Sequence, residues 1–240
     1  MAFKSKKLIS NRRNYGSKRN TSLIKYLVYH YTANDGDTDE NNAKYFHNNV
    51  VKASAHRFVD DDSVTISVPD NYVAWHCGGG LQGSKGHTYY KKCTNTNSIG
   101  IEMCDTIRNG KHEVSSKTRA NAIALGKEIV KKYGIKKENV IRHFDVTGKN
   151  CPAYFVKDEE AWKKFKNEIF ETEKKQSTVK QTKTLKQDCV LYSNKDLTGT
   201  KYTYMKNTTV KILKNISSKV DYVQVIATGR KAYINVKYYK

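Results

Sequence analysis

Proline is nearly absent, two in 240 residues, and glycine numbers only 14, which excludes a collagen-like repeat and a Pro/Gly-rich disordered chain. No apolar run approaches the roughly 18–20 residues that span a bilayer. With 38% apolar residues and a mean hydropathy of -0.76, membrane insertion is not expected. The opening MAFKSKKLISNRRNYGSKRN is basic but has no apolar h-region, so no secretory signal is visible in it. The five cysteines (Cys77, Cys93, Cys104, Cys151 and Cys189) form no CxxC pair and are odd in number. That argues against a secreted disulfide framework and for reduced thiols. Cys77 and Cys93 are a pair that an oxidising medium would join.

Acidic residues are also scarce. Lys and Arg total 44 against 23 Asp and Glu, a net charge of +21. The first 25 residues carry eight basic and no acidic side chains, and residues 180–240 carry thirteen basic against three acidic. A field of this size favours a polyanionic partner, either nucleic acid or an anionic bacterial wall polymer, or else describes a solvated basic surface. Charge does not choose among them.

Seventeen tyrosines and clear punctuation indicate a folded chain. LIKYLVYHY (23–31) reads as a buried strand. From Thr38, where either Asp39 or Thr38 itself supplies the N-cap oxygen, Ala43, Phe46, Val50 and Val51 fall on one helical face. Short strands are expected at 56–59, 64–68, 72–75, 99–104 and 139–144. A helix over 117–133 is capped by Ser115 or Ser116 and ended by Gly134, and another runs over about 158–174. Helices alternating with mixed strands indicate an α/β domain with a mixed central sheet flanked by helices. The polar stretch EKKQSTVKQTKTLK (173–186) reads as a linker, and beyond it only short strand-like runs follow, as expected of a small all-β barrel. The organisation read from the chain is a basic N-terminal arm (1–20), a catalytic α/β domain (21–172), a linker (173–185) and a β-domain (186–240).

Three soft-metal donors stand at element ends: His30 in YHYTA, His143 in IRHFD and Cys151 in GKNCP. Two imidazoles and a thiolate make three corners of a tetrahedral Zn²⁺ site with the fourth open, although each histidine also reads as an ordinary packing residue. Glu102 lies in the apolar run SIGIEMC, a costly place for a carboxylate unless a cation or a catalytic duty compensates. The alternative places it on the solvated face of an alternating strand. Lys149, two residues before Cys151, is placed to aim a charge at the open side. Asp145 is a candidate acceptor for a ligand imidazole. His47 reads as packed, His87 and His112 as surface, and His56 as either groove or core. The glycines at 78, 79, 80, 83 and 86 do not fit a phosphate loop, because Gly83-Ser84-Lys85 reverses the required order; they read as a flexible loop and groove wall.

Five motifs in order, VYHYTAN, AHRFVDD, AWHCGG, NTNSIGIEMC and HFDVTGKNCP, resemble the zinc-dependent N-acetylmuramoyl-L-alanine amidases of the type-2 class. That class includes the short phage lysozyme-like amidases and shares its fold with the peptidoglycan-recognition proteins. The resemblance implies that one Zn²⁺ is held by His30, His143 and Cys151, with Glu102 as general base and Lys149 facing the oxyanion. His76, and with it His56, would be substrate-binding residues. Where some phage members carry a catalytic tyrosine this chain has Ala55, which shifts the work to Glu102. The C-terminal strands, ending in GRKAYINV, resemble bacterial SH3-like wall-binding modules.

The expected function is therefore hydrolysis of the bond between N-acetylmuramic acid and L-alanine in Gram-positive peptidoglycan, with anionic wall polymers as further partners. The layout resembles phage endolysins, so the expected location is the producer's cytoplasm before release onto the wall. A nucleic-acid-binding protein is the alternative from another class, but no nucleic-acid motif accompanies the charge. A non-catalytic peptidoglycan binder is the third reading; those typically lose the cysteine ligand, which here is present.

Overall fold

The computed structural model describes residues 3–171 and 182–239, and the chain divides after Phe170 into two compact units. The first unit runs β1 (Lys4–Lys7), β2 (Tyr15–Lys18), β3 (Tyr26–Tyr31), α1 (Asp39–Asn48), β4 (Arg57–Val59), β5 (Ser63–Ile66) and β6 (Tyr72–Ala74). It continues through β7 (Ser98–Met103), β8 (Thr106–Arg108), β9 (Lys111–Glu113), α2 (Ser116–Tyr133), β10 (Val140–Arg142), α3 (His143–Thr147), α4 (Ala153–Lys157) and α5 (Glu159–Phe170).

Six strands form a mixed sheet in the order β1-β5-β4-β7-β3-β10, parallel throughout except for the β4–β5 hairpin. The side-chain alternation of a strand sorts β3 and β7 cleanly. Leu27, Tyr29, Ile99, Ile101 and Met103 point into the main core with Ala122, Leu125 and Ile129 of α2 and Trp162, Phe165 and Ile169 of α5. The intervening positions, among them His30, Gly100 and Glu102, point to the opposite face. Burying a hydrophobic helix stripe on one side of the sheet thus sets the polar groups on the other.

Helices α1 and α2 are bounded by local chemistry. Thr38 caps α1 through Asn41 N–H (3.1 Å), and Ser115 caps α2 through Thr118 N–H (3.0 Å). Gly134 closes α2 in the left-handed conformation (φ 63°). Helix α1 stops at Asn48, so the expected extension of its face through Val50 and Val51 does not form, and Val50 is exposed. The expected strand over 139–144 turns into α3 at His143, because Asp145 accepts from the backbone N–H of Arg142 (2.8 Å) and starts a helix there.

Residues 1–20 are not an arm from residue 3 onward. β1 is the sheet's edge strand, paired in parallel with β5, and its four exposed residues, three of them lysines, discourage further edge pairing. Phe3 joins the main core and Asn14 is buried. Arg19 donates to the carbonyls of Asp70, Asn95, Thr96 and Ser98 at 2.7–3.1 Å. Its charge is spent on backbone oxygens, not displayed.

The second unit contains β11 (Thr182–Thr184), β12 (Cys189–Tyr192), β13 (Lys201–Tyr204), β14 (Thr209–Asn215), β15 (Val220–Val225) and β16 (Lys231–Asn235), all antiparallel in the order β11-β14-β15-β16-β12-β13. Leu191, Val210, Val223, Val225 and Ile234 fill its core, and the buried Asp221 accepts from Tyr239 and Asn215. Part of the expected linker, 173–181, lies outside the described residues. The remainder is strand and core: β11 pairs with β14 and Leu185 is buried, which the β-branched Thr182 and Thr184 favour. Among the described residues, no helix is long and apolar enough to cross a membrane.

Candidate active site

β3 and β7 are neighbours in register, with His30 opposite Glu102. β10 flanks β3 on its other side and hands directly into α3, whose first residue is His143. Gly148, in the left-handed conformation (φ 79°), ends α3, and Phe144 N–H donates to the Cys151 carbonyl at 3.0 Å. That closure folds Cys151 back beside His143. The glycine loop buttresses the same segment: Gln82 and His87 donate to the carbonyls of Thr147 (2.7 Å) and Phe144 (3.0 Å). Gly86 has φ +80°, and a Cβ there would sit 2.5 Å from the Phe144 oxygen, so this close approach needs glycine.

The donor atoms of His30, His143 and Cys151 all lie within 4.8 Å of one another, and all three residues are buried. Cys151 Sγ is 3.8 Å from His30 Nδ1, and Glu102 Oε1 is 4.0 Å from the same nitrogen. Two buried atoms at this point have no hydrogen-bond partner, His143 Nε2 and Glu102 Oε2. Orphaned buried donors and acceptors are costly, and a cation with its bound solvent would satisfy this set. Burial, then His143 and His76, holds the His30 pKa well below the ordinary imidazole value; burial and Lys149 push His143 down to about 3. Both rings are thus neutral at neutral pH, with a lone pair free to donate. Burial, then the Glu102 charge, raises the Cys151 thiol, so a divalent ion must displace its proton on binding. The donor set fits Zn²⁺.

Burial lifts the Glu102 carboxyl to about 8 against the opposing pull of Lys149. Both line a cleft of about 570 Å³ together with His30, His143, Cys151, His76, Tyr31, Tyr45 and Trp75. The cleft joins a three-donor cluster, a carboxyl group and an ammonium group on one face of the sheet.

Residues 19–154, more than half of the chain, match the family described as N-acetylmuramoyl-L-alanine amidase. The chain belongs to that family. It is 36% identical over 153 residues to the N-acetylmuramoyl-L-alanine amidase BlyA of Bacillus subtilis strain 168, covering 61% of this chain and 41% of that one. The catalytic domain of XlyA superposes with a TM-score of 0.54 at 28% identity, covering 69% of this chain and 98% of that one. A mutant endolysin from Bacillus subtilis gives 0.55 at 28%, covering 70% and 99%. This chain therefore spans about two fifths of the length of BlyA and nearly all of each of the two solved chains.

The amidase fold separates the remaining expected site residues. His76 lines the cleft, but its two ring nitrogens contact His30 Nε2 and Ser98 Oγ, each at 3.0 Å. His56 is not a groove residue. It is fully buried, its Nδ1 accepts from Gly100 N–H (3.0 Å), and Nε2 meets the Tyr72 carbonyl and Arg19. Asp145 serves no ligand imidazole, because Arg142 holds its carboxylate at 2.8 Å. Ala55 is buried beside Phe58 in the amidase unit.

Two features escaped the sequence reading. His112, expected at the surface, pairs with the buried Asp105 at 2.5 Å beside Tyr31. Ser98, unremarked inside NTNSIGIEMC, contacts His76; only the loop geometry of Thr94–Asn97 brings it there.

Proposed function

We propose that this amidase-family chain is a zinc-dependent peptidoglycan hydrolase that cleaves the amide between N-acetylmuramic acid and the L-alanine of the stem peptide. The observation that carries this reading is the convergence of His30, His143 and Cys151 in one cleft beside Glu102, whose Oε2 has no hydrogen-bond partner. The three would hold the ion, which supplies Lewis-acid chemistry: activation of a water and polarisation of the amide carbonyl.

The chain's own groups do the rest. Glu102 accepts one proton of the attacking water and returns it to the alanine nitrogen as the C–N bond breaks, leaving a free amine and a lactyl carboxylic acid, which then ionises to solvent. The Lys149 ammonium faces the oxyanion of the tetrahedral species. Trp75, Tyr45 and Tyr31 give the saccharide and peptide apolar walls.

The second unit, read as an SH3-like wall-binding module, would hold the enzyme on an anionic Gram-positive wall; its support is six short antiparallel strands around one core and the basic excess of residues 180–240. The whole would act as an endolysin-type enzyme of a phage or prophage, made in the cytoplasm and released onto the wall. Digestion of purified Gram-positive peptidoglycan followed by mass spectrometry of the new chain ends tests the reaction. Stem peptides beginning at L-alanine support it; new reducing sugars, cross-bridge amines or no cleavage overturn it.

A further inference from the structure

The imidazole of His30 is oriented by a chain of hydrogen bonds whose direction is set at its far end. Ser98 Oγ lies 2.6 Å from the Thr94 carbonyl, which can only accept, so the serine hydrogen is committed there. Ser98 Oγ is then an acceptor for His76 Nε2–H at 3.0 Å. A His76 protonated on Nε2 offers Nδ1 as acceptor to His30 Nε2–H, also at 3.0 Å. His30 is left with its bare lone pair on Nδ1, the atom that lies 3.8 Å from Cys151 Sγ.

The relay is anchored. Asn95 Oδ1 accepts from the backbone N–H of both His76 (3.0 Å) and Cys77 (2.9 Å), fixing the peptide from which the ring projects. The ring lies against Gly100, where a Cβ would come within 2.5 Å of His76 Cγ. Nothing larger than glycine at position 100 leaves room for it.

We propose that His76 is a positioning residue for the metal centre. It fixes the tautomer and ring orientation of His30 so that Nδ1 faces the ion, with Ser98 as the group that sets its polarity. This inference rests on the zinc reading above. Partners that orient a ligand imidazole typically contribute about 10- to 100-fold in metal affinity.

Zinc affinity, measured on the full chain by competition with a chromogenic chelator, tests the inference independently of activity. His76→Ala is expected to bind zinc about 10- to 100-fold more weakly. His76→Asn, whose side-chain oxygen can replace Nδ1 as acceptor, is expected to recover the wild-type value. Ser98→Ala, a one-atom truncation that keeps the ring, is expected to weaken binding as well, and it carries the test if His76→Ala does not fold. Unchanged zinc affinity in Ser98→Ala and in folded His76→Ala, with only wall binding weakened, overturns the inference and returns His76 to the groove. An Asn variant as weak as the Ala variant also overturns it. If the wild-type chain binds no stoichiometric zinc, the metal centre itself fails and the inference falls with it.

Discussion

His30 and Glu102 are register partners on adjacent parallel strands, and the Glu102 carboxylate comes within 4.0 Å of His30 Nδ1. One strand pairing therefore brings to the same point the two residues proposed as metal ligand and as acid–base group, and the two proposed roles are separable by substitution. Glu102→Gln should retain the bound metal and lose about 10²- to 10⁴-fold in kcat, the usual worth of a positioned proton acceptor. Turnover with metal content read on the same samples checks it; loss of the metal along with activity would make Glu102 a ligand instead.

The same carboxyl gives the metal-free chain a distinctive pH response. Burial holds the Glu102 proton up to about 8, whereas an unfolded glutamic acid releases it near ~4.3. Between those values the folded state binds more protons, so stability falls as pH rises. Thermal melts in chelator at pH ~5.5 and ~8.5 should show wild type losing more than Glu102→Gln, with about 4.3 to 8 as the sensitive window. Equal losses would refute the assignment.

Asp70 behaves in the opposite sense. Burial alone would raise its pKa, but Arg57 (2.5 Å), the Tyr133 hydroxyl (2.5 Å) and Lys132 (2.9 Å) outweigh it and hold the carboxyl well below the ordinary range. Its contribution is fully present above the unfolded value of about 4 and is lost as pH falls toward the folded one. Urea unfolding should show a larger penalty for Asp70→Asn at neutral pH than at pH ~3; the same penalty at both would contradict the argument.

The core under the site should be intolerant. Phe165 packs against Tyr29 and Phe155 (ring centroids 4.9 Å) and against Trp162 (5.7 Å), and it is fully buried. Phe165→Ala is expected to cost about 3–5 kcal/mol in equilibrium unfolding. A cost under about 1 kcal/mol would mean that α5 is not integral to the fold.

Wall attachment by the basic second unit predicts a steep salt dependence. Sedimentation of the full chain with purified walls should weaken strongly between ~0.05 and ~0.5 M NaCl, as screening shortens the reach of exposed charge. Binding unchanged over that range would remove the electrostatic part of the account.

What the sequence made legible was whatever rests on local chemistry or strand periodicity. Thr38, Ser115 and Gly134 announce helix ends, and the alternation in SIGIEMC and LIKYLVYHY announces central strands. His30, His143, Cys151 and Glu102 carry their own chemical signal. What was not legible depends on non-local contacts. Arg19 looks like surface charge until its carbonyl partners, contributed from residues 70 to 98, are known. His56 and His76 sit in equally suggestive motifs, yet only the fold shows one ring buried by Gly100 and Tyr72 and the other beside His30. Ser98 has no signature at all; its role exists only because Thr94 takes its proton.

The most direct test titrates Zn²⁺ into the metal-free chain while following amide cleavage, for wild type and Cys151→Ser. Activity rising linearly to a plateau at about one zinc per chain in wild type, and staying flat in the variant, is the outcome predicted from a His30–His143–Cys151 centre. Full cleavage by the metal-free chain, or by Cys151→Ser at the same zinc level, would contradict it.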